Sequence, residues 1–331
     1  MGEDSSVKTL YVSQQGCYLS LRQESVLIKR GEVILDEVQL PLLEQILIFG
    51  RSQVTTQVIQ ACLQREITIA YLSRMGRCYG RVLSIAQGYR QLSRNQQLLE
   101  PELQLQTARS IVQAKLKNSR VILMRQQRRR SSELTALAID SLAYLVQQAG
   151  EAGSIPRLMG LEGAGAASYF AAFGDCLDGE TFVFMVRSRR PPGNPVNAML
   201  SFGYQVLWSH LLTLIELQGL DPYCGCLHQG SERHAALASD LIEEFRSPIV
   251  DSLVLYLVNR GLIDAVTDFE FHDGGCFLNQ SGRRKFLQAF LQRMEMVVEN
   301  EPRWNLLSQQ VKAYKRFIYD PSRSYVPYLI R

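Results

Sequence analysis

Four acids and one histidine stand in local settings that invite chemistry. Glu162 lies in LMGLEGAGAASYF among Gly160, Gly163, Ala164, Gly165, Ala166 and Ala167. Small neighbours allow close backbone approach, which suits a ligand or a helix start beside a substrate; a solvent-facing acid in the first turn of a helix fits the same residues. His228 lies in YCGCLHQGSERH. Histidine is the usual nitrogen ligand and the usual acid–base group near neutral pH, although a lone histidine is also met buried and hydrogen-bonded. Asp240, Glu243 and Glu244 lie in ASDLIEEFRSPIVD. Asp240 and Glu243 are three apart and would share a helical face, where like charges cost stability unless a cation offsets them. Arg246, three beyond Glu243, is such a cation, and Leu241, Ile242 and Phe245 mark a largely buried helix rather than a solvated acidic face. Carboxylates with one imidazole form the donor set expected for Mg²⁺ or Mn²⁺ at a phosphodiester. Such an ion polarises the phosphoryl oxygen and activates an oxygen nucleophile.

Other chemistries fit less well. Cys224, Cys226, His228 and His234 give C-x-C-x-H-x₅-H, whereas structural zinc sites favour two to four residues between cysteines. GLEGAGAAS lacks the glycine order of a dinucleotide fingerprint after a clear strand. No Ser–His–Asp triad or phosphate-binding P-loop is evident.

The elements that must position these residues fall into two textures. TLYV (9–12), CYLSL (17–21), SVLIKR (25–30), EVILDEV (32–38), QILIFG (45–50), ITIAYLS (67–73) and a run from Cys78 to Ile85 predict strands, with SQQG and RQE as turns and Gly76 and Gly80 as punctuation. Between them SQVTTQVIQACLQRE has helical spacing, with Ser52 as N-cap. From about residue 90 helices dominate. A long one is expected over Leu103–Arg129, with Ala108, Ile111, Val112, Lys115 and Ser119 along one side. Others are expected over Ser132–Ala149, Ala164–Phe173, Pro195–Gln218, Ala236–Glu244, Ile249–Arg260 and Arg283–Val298. TFVFMVRS (181–188) is an ambiguous strand. The boundary falls near residues 86–95, giving an α+β chain of two domains, 1–88 and 89–331.

The 331 residues suffice for two cores, with an ordinary 46% apolar and 21% charged content. No apolar run approaches membrane-spanning length. Acids stand where a signal peptide would carry bases, and the seven cysteines are odd in number and scattered, so a reducing cytoplasm is expected. The net charge of +4 is uneven. Residues 74–130 hold thirteen Lys or Arg against Glu100 and Glu102, a basic block that suggests a polyanionic partner such as nucleic acid.

Several separated motifs, in order, resemble the family of CRISPR-associated protein one, the integrase subunit of spacer acquisition. They are LYVSQQGCYLSL and the segment to GRCYGRV, then KLKNSRVILMRQ, LMGLEGAGAASYF, RRPPGNPVNAMLSFGYQVL, GCLHQG, SDLIEEFRSPIVD and the ending YVPYLIR. The resemblance implies an N-terminal β-sheet domain that dimerises and a larger all-α C-terminal domain that binds DNA and carries catalysis. It implies metal ligands at Glu162, His228 and Glu243, an extra carboxylate at Asp240, a basic residue at Arg246 and a supporting Asn197. Cys226 departs from the pattern, since an aromatic usually precedes Leu–His there. The implied protein is a homodimer, two of which flank a dimer of CRISPR-associated protein two. Its implied reaction is attack of a DNA 3′-hydroxyl on a phosphodiester of the CRISPR array. A non-catalytic DNA-binding scaffold of the same ancestry and a zinc-stabilised helical adaptor are the alternatives.

Overall fold

The computed structural model describes residues 8–12, 14–73, 78–84, 89–178, 181–228, 230, 234–298 and 301–330. The chain divides into two compact units, Met1–Gln91 and Leu92–Arg331.

In the first unit the β-rich runs become strands β1 (Lys8–Val12), β2 (Tyr18–Arg22), β3 (Ser25–Arg30), β4 (Val33–Gln39), β5 (Leu43–Phe49), β6 (Gln53–Val54), β7 (Thr68–Leu72) and β8 (Cys78–Val82), with helix α1 (Thr56–Gln64) before β7. They build two four-stranded sheets, ordered β1-β5-β7-β8 and β4-β3-β2-β6. In the first, β1, β5 and β7 run parallel and β8 antiparallel. The almost uninterrupted burial of β5 is that of a parallel strand covered on both faces. The second sheet is built on hairpins. Their two-residue turns place Gln23 at φ 53° and Gly31 at φ 60°, the left-handed region that tight hairpins need. Leu19, Val26, Ile46, Ile69 and Val58 meet in one core. β4 is an edge strand that leaves Val33, Ile34 and Leu35 exposed.

Two local expectations change. α1 is capped by Thr55, which accepts from the Val58 amide at 3.4 Å, not by Ser52, because Gln53 and Val54 pair with β2. Gly80 lies inside β8 rather than between strands, and Gly76 lies outside the described residues.

The second unit is helical: α2 (Tyr89–Gln97), α3 (Pro101–Gln127), α4 (Glu133–Gly150), α5 (Ile155–Phe173), α6 (Pro195–Leu217), α7 (Ala236–Ile242), a π-helical turn over Arg246–Asp251, α8 (Ser252–Asn259), α9 (Gln280–Glu295) and α10 (Arg303–Tyr319). Ser132, Ser154 and Asn194 cap α4, α5 and α6, and Pro101, Pro156 and Pro195 stand in first turns, where a missing amide hydrogen costs nothing. Because α5 starts at Ser154 and not near Ala164, Glu162 sits mid-helix. Residues 181–188 form no strand. A hairpin of β9 (Phe269–His272) and β10 (Gly275–Leu278), turning at Asp273–Gly274, interrupts the expected all-helical run. α6 has the length and apolarity of a membrane-spanning helix, contrary to the sequence expectation, and 67% of its most apolar window is buried inside the protein.

α3 is the spine of this unit. It packs against α4, α5, α7 and the π-helical turn. A Cβ on Gly165 would stand 2.1 Å from Leu116 Cδ2, so any larger residue there must displace this buried methyl for α5 to lie this close to α3. Leu116 follows Lys115, and Gly165 is one turn beyond Glu162, so this approach brings the two charged side chains within reach of each other. Gly163 faces open space. Gly165→Val should therefore lower unfolding free energy by about 1–3 kcal/mol. Gly163→Ala should leave it unchanged or raise it by up to about 1 kcal/mol. Urea unfolding of both variants measures the difference.

Candidate active site

Lys115 projects from the inward stripe of α3 between two carboxylates. Its Nζ contacts Glu162 Oε1 from α5 and lies 2.6 Å from Glu243 Oε2, just after α7. Glu243 is 3% exposed. Arg246, at the start of the π-helical turn, places Nε 2.9 Å from Glu243 Oε1. Burial alone would push the Glu243 carboxyl up, but Arg246 and Lys115 outweigh it and hold the group well below the usual carboxylate range. Arg246, although buried, is raised by the same partner. Glu162, Glu243, Lys115 and Arg246 thus form a locally neutral cluster.

Asp240 faces away from this cluster. Fully buried, it accepts backbone amides from Cys226 at 2.5 Å, Leu227 at 3.0 Å and His228 at 2.9 Å. The His228 Nδ1 lies 2.8 Å from Asp240 Oδ1. Burial pulls the His228 pKa down, but the hydrogen bond and charge of Asp240, with a contribution from Glu243, carry it above its ordinary value. Asp240 and Glu243 therefore do not repel across one helical face: the first is satisfied by the His228 loop, the second by Lys115 and Arg246. With Nδ1 engaged by Asp240, the remaining ring nitrogen of His228 is Nε2, on a side chain that is 26% exposed.

Three residues that sequence reasoning passed over complete the site. Lys115 was legible as a lysine on an otherwise apolar helical stripe. Tyr204 of α6 carries the Arg246 guanidinium 4.5 Å from its ring centroid and that of Arg187 at 5.7 Å. Its hydroxyl donates to buried Asp251. Arg187 lies on the strandless segment before α6, and burial lowers its pKa. Asn197 holds that segment: its Oδ1 accepts from Arg187 Nη1 at 2.8 Å and the Ser188 amide at 3.0 Å, and its Nδ2 donates to Val186 O at 2.9 Å. Lys115, Phe170, Arg187, Arg189, Tyr204 and Arg246 line a narrow cleft beside the carboxylate pair. With Lys115 and Arg246 already balanced by Glu162 and Glu243, Arg187 and Arg189 against Asp251 leave it a place for an anion.

The donor set suits a hard divalent cation. Glu243 Oε2 is buried with no hydrogen-bond donor aligned on it, only the nearby Lys115 charge, and Glu162 reaches the same ammonium from the other side. As these side chains stand, no three His, Cys, Asp or Glu groups among the described residues are gathered around one point. The zinc alternative has no support: Cys224 Sγ contacts Asp221, Cys226 Sγ contacts Tyr314 and His234 contacts Ser239. Burial first, and nearby acids second, push the two thiols up to about 11 and about 12.

The basic block divides between the two units. Arg74 and Arg77 lie outside the described residues. In the second unit Lys117, Arg125, Arg128, Arg129 and Arg130 are exposed on α3 and just beyond it.

Comparison with known proteins places this geometry. The profile of the family described as CRISPR associated protein Cas1 matches residues 10–292. A CRISPR-associated exonuclease Cas4/endonuclease Cas1 fusion from Geobacter sulfurreducens is 35% identical over 97% of the chain, which spans 58% of that fusion. The CRISPR-associated endonuclease Cas1 2 of Rhodospirillum rubrum is 34% identical, with 87% of this chain and 86% of the relative covered. Among solved structures, a partial Cas6-RT-Cas1–Cas2 complex contains a chain with TM-score 0.84 and 25% identity, covering 97% of this chain and 98% of that one. A casposase bound to integration product shares the fold, with TM-score 0.77 at 21% identity and coverage of 98% and 100%. An N-terminal β unit followed by a helical second unit agrees with these matches: the chain belongs to the CRISPR-associated Cas1 family of endonucleases.

Proposed function

We propose that this chain is a metal-dependent DNA endonuclease and integrase of CRISPR spacer acquisition, joining 3′ ends of short DNA fragments into a CRISPR array. The observation that carries this reading is the pairing of Glu162 and Glu243, from distant segments, around one cation beside an arginine-lined cleft. Glu162, Glu243 and His228 would hold Mg²⁺ or Mn²⁺, which supplies a Lewis acid for the phosphoryl oxygen and lowers the pKa of an oxygen nucleophile. Asp240 is a positioning residue: it fixes the His228 ring through Nδ1 and leaves Nε2 for the site. Arg246, braced on the Tyr204 ring, and Lys115 lie where negative charge develops on a pentavalent phosphate. Arg187 and Arg189 neutralise a neighbouring phosphate. The joining step forms one P–O bond from the attacking 3′-hydroxyl and breaks one, releasing a new 3′-hydroxyl.

DNA enters as partner on the strength of the exposed cations along α3. The Cas1–Cas2 complex among the structural relatives supports a second partner, CRISPR-associated protein two. The unpaired edge of β4, with Val33, Ile34 and Leu35 exposed, supports a homodimer through the β unit. All seven cysteines are free thiols, which suits action in the cytoplasm.

Glu162→Gln, Glu243→Gln and His228→Ala should each reduce strand joining in Mn²⁺ by about 10²-fold or more, with DNA affinity held within about threefold. Asp240→Asn should cost about 10–100-fold. A gel assay of joining beside a binding isotherm separates the two effects, and full joining by a ligand variant removes that residue from the site. Replacing Arg128 and Arg129 together by Gln should flatten the slope of log affinity against log salt by about 0.9 for each phosphate that is no longer neutralised. Fluorescence anisotropy at several salt concentrations reads this slope; an unchanged slope removes these arginines from the DNA path.

A further inference from the structure

Glu243 belongs to no regular helix. α7 ends at Ile242 and the π-helical turn begins at Arg246; residues 243–245 bridge them with tighter turns, the Glu243 amide donating to Asp240 O at 3.2 Å and the Phe245 amide to Ile242 O at 2.9 Å. Residue 248 is proline and has no amide hydrogen, so the Glu244 carbonyl has no donor four residues on. Asn118 of α3 replaces it, donating through Nδ2 at 2.8 Å.

The Glu244 side chain points the other way, is fully buried, and accepts from the Tyr325 hydroxyl and from the Tyr328 amide at 2.7 Å. Phe245 stacks on Tyr328, with centroids 5.1 Å apart and planes at 17°. The same segment is fastened to α3: Asn118 Nδ2 donates to Tyr328 O at 2.9 Å, and the Ile330 amide donates to Asn118 Oδ1 at 3.0 Å. Gln310 of α10 holds it from behind, donating to the Tyr325 hydroxyl and to Val326 O, both at 2.8 Å. Asn118 stands one helical turn from Lys115, and Glu244 is the neighbour of Glu243. One irregular segment therefore joins the backbone that carries Lys115 to the backbone that carries Glu243.

We infer that Tyr325–Ile330 is a strap that sets Glu243 against Lys115 and Glu162, with Asn118, Glu244 and Tyr325 as positioning residues. The role is geometric; its consequence for metal binding depends on the function proposed above. Both protein donors to the Glu244 carboxyl group come from the strap, and a buried polar group stripped of its hydrogen-bond partners drives its surroundings to open.

The test uses the full chain carrying Tyr325→Phe, Glu244→Ala or Glu244→Gln. Three quantities are read: hydrogen exchange of the amides at 243–246, the Mn²⁺ concentration giving half-maximal thermal stabilisation, and strand joining. Tyr325→Phe and Glu244→Ala should speed exchange at these amides and raise the Mn²⁺ requirement, each by about tenfold, while exchange in the middle of α6 stays within about twofold. Glu244→Gln keeps an acceptor for the Tyr328 amide and should return both quantities to within about threefold of the parent. Unchanged exchange at 243–246 in the two disruptive variants overturns the strap. So does an equal rise in exchange throughout α6, which marks plain loss of stability. Faster local exchange with an unaltered Mn²⁺ requirement overturns its role in placing Glu243. If the parent protein neither responds to Mn²⁺ nor joins DNA, the proposed function fails, and exchange at 243–246 alone still decides whether the strap exists.

Discussion

Two carboxylates 81 positions apart in the chain, Glu162 and Glu243, are held together by a single ammonium. Burying Glu243 would be prohibitive without compensating charge, since an unpaired ion loses several kcal/mol or more on leaving water. Lys115 and Arg246 provide that charge, and Glu162 balances it. The cluster is neutral as it stands, so a dication and a phosphodiester can enter as a pair without leaving a large net charge in a poorly solvated place. Arg187 and Arg246, both set against the Tyr204 ring, extend the same electrostatics into the cleft.

The rest of the second unit serves to bring these groups to one point. Gly165 sets the spacing between α3 and α5. Between α7 and the π-helical turn Glu243 keeps right-handed helical backbone angles, yet Asp240 and Glu243, three residues apart, address different partners. π-helical turns often mark functional positions, and here the turn also brings the Arg246 guanidinium over Tyr204. Asn197 converts an irregular, proline-rich segment into a fixed support for Arg187.

Much of this was readable in the sequence, for physical reasons that differ by element. The strands of the first unit announced themselves through β-branched runs broken by turn residues, and α4, α6 and α7 begin at or within one residue of their expected starts, whereas the α1 cap and the start of α5 do not. Glu162, His228, Asp240, Glu243 and Arg246 stood out because ionisable side chains sat among small or apolar neighbours that would bury them. Lys115 was visible in pattern but not in purpose: periodicity says that a residue faces inward, and only tertiary packing says what it meets there. Arg187 and Tyr204 carried no such mark, one because its segment lacks any period, the other because an aromatic on a core helix looks like core. The Asn118–Tyr328 contact joins residues 210 positions apart in the chain, beyond anything local spacing encodes. α10 and the β9–β10 hairpin went unforeseen although both carry local signals: Trp304, Leu307, Val311, Tyr314 and Ile318 recur at helical spacing, and Asp273–Gly274 is a hairpin turn between two short strands.

The grip of Asp240 on three successive amides has a consequence for how such a site can vary. Because residues 226–228 are clamped from below by a side chain of α7, the imidazole takes its position from that clamp and not from the connection leading to α7. The intervening residues can lengthen, shorten or change composition without shifting the ring. The site thereby tolerates remodelling of the sequence that follows His228, a freedom through which members of one lineage can acquire different neighbours while preserving the same reactive centre.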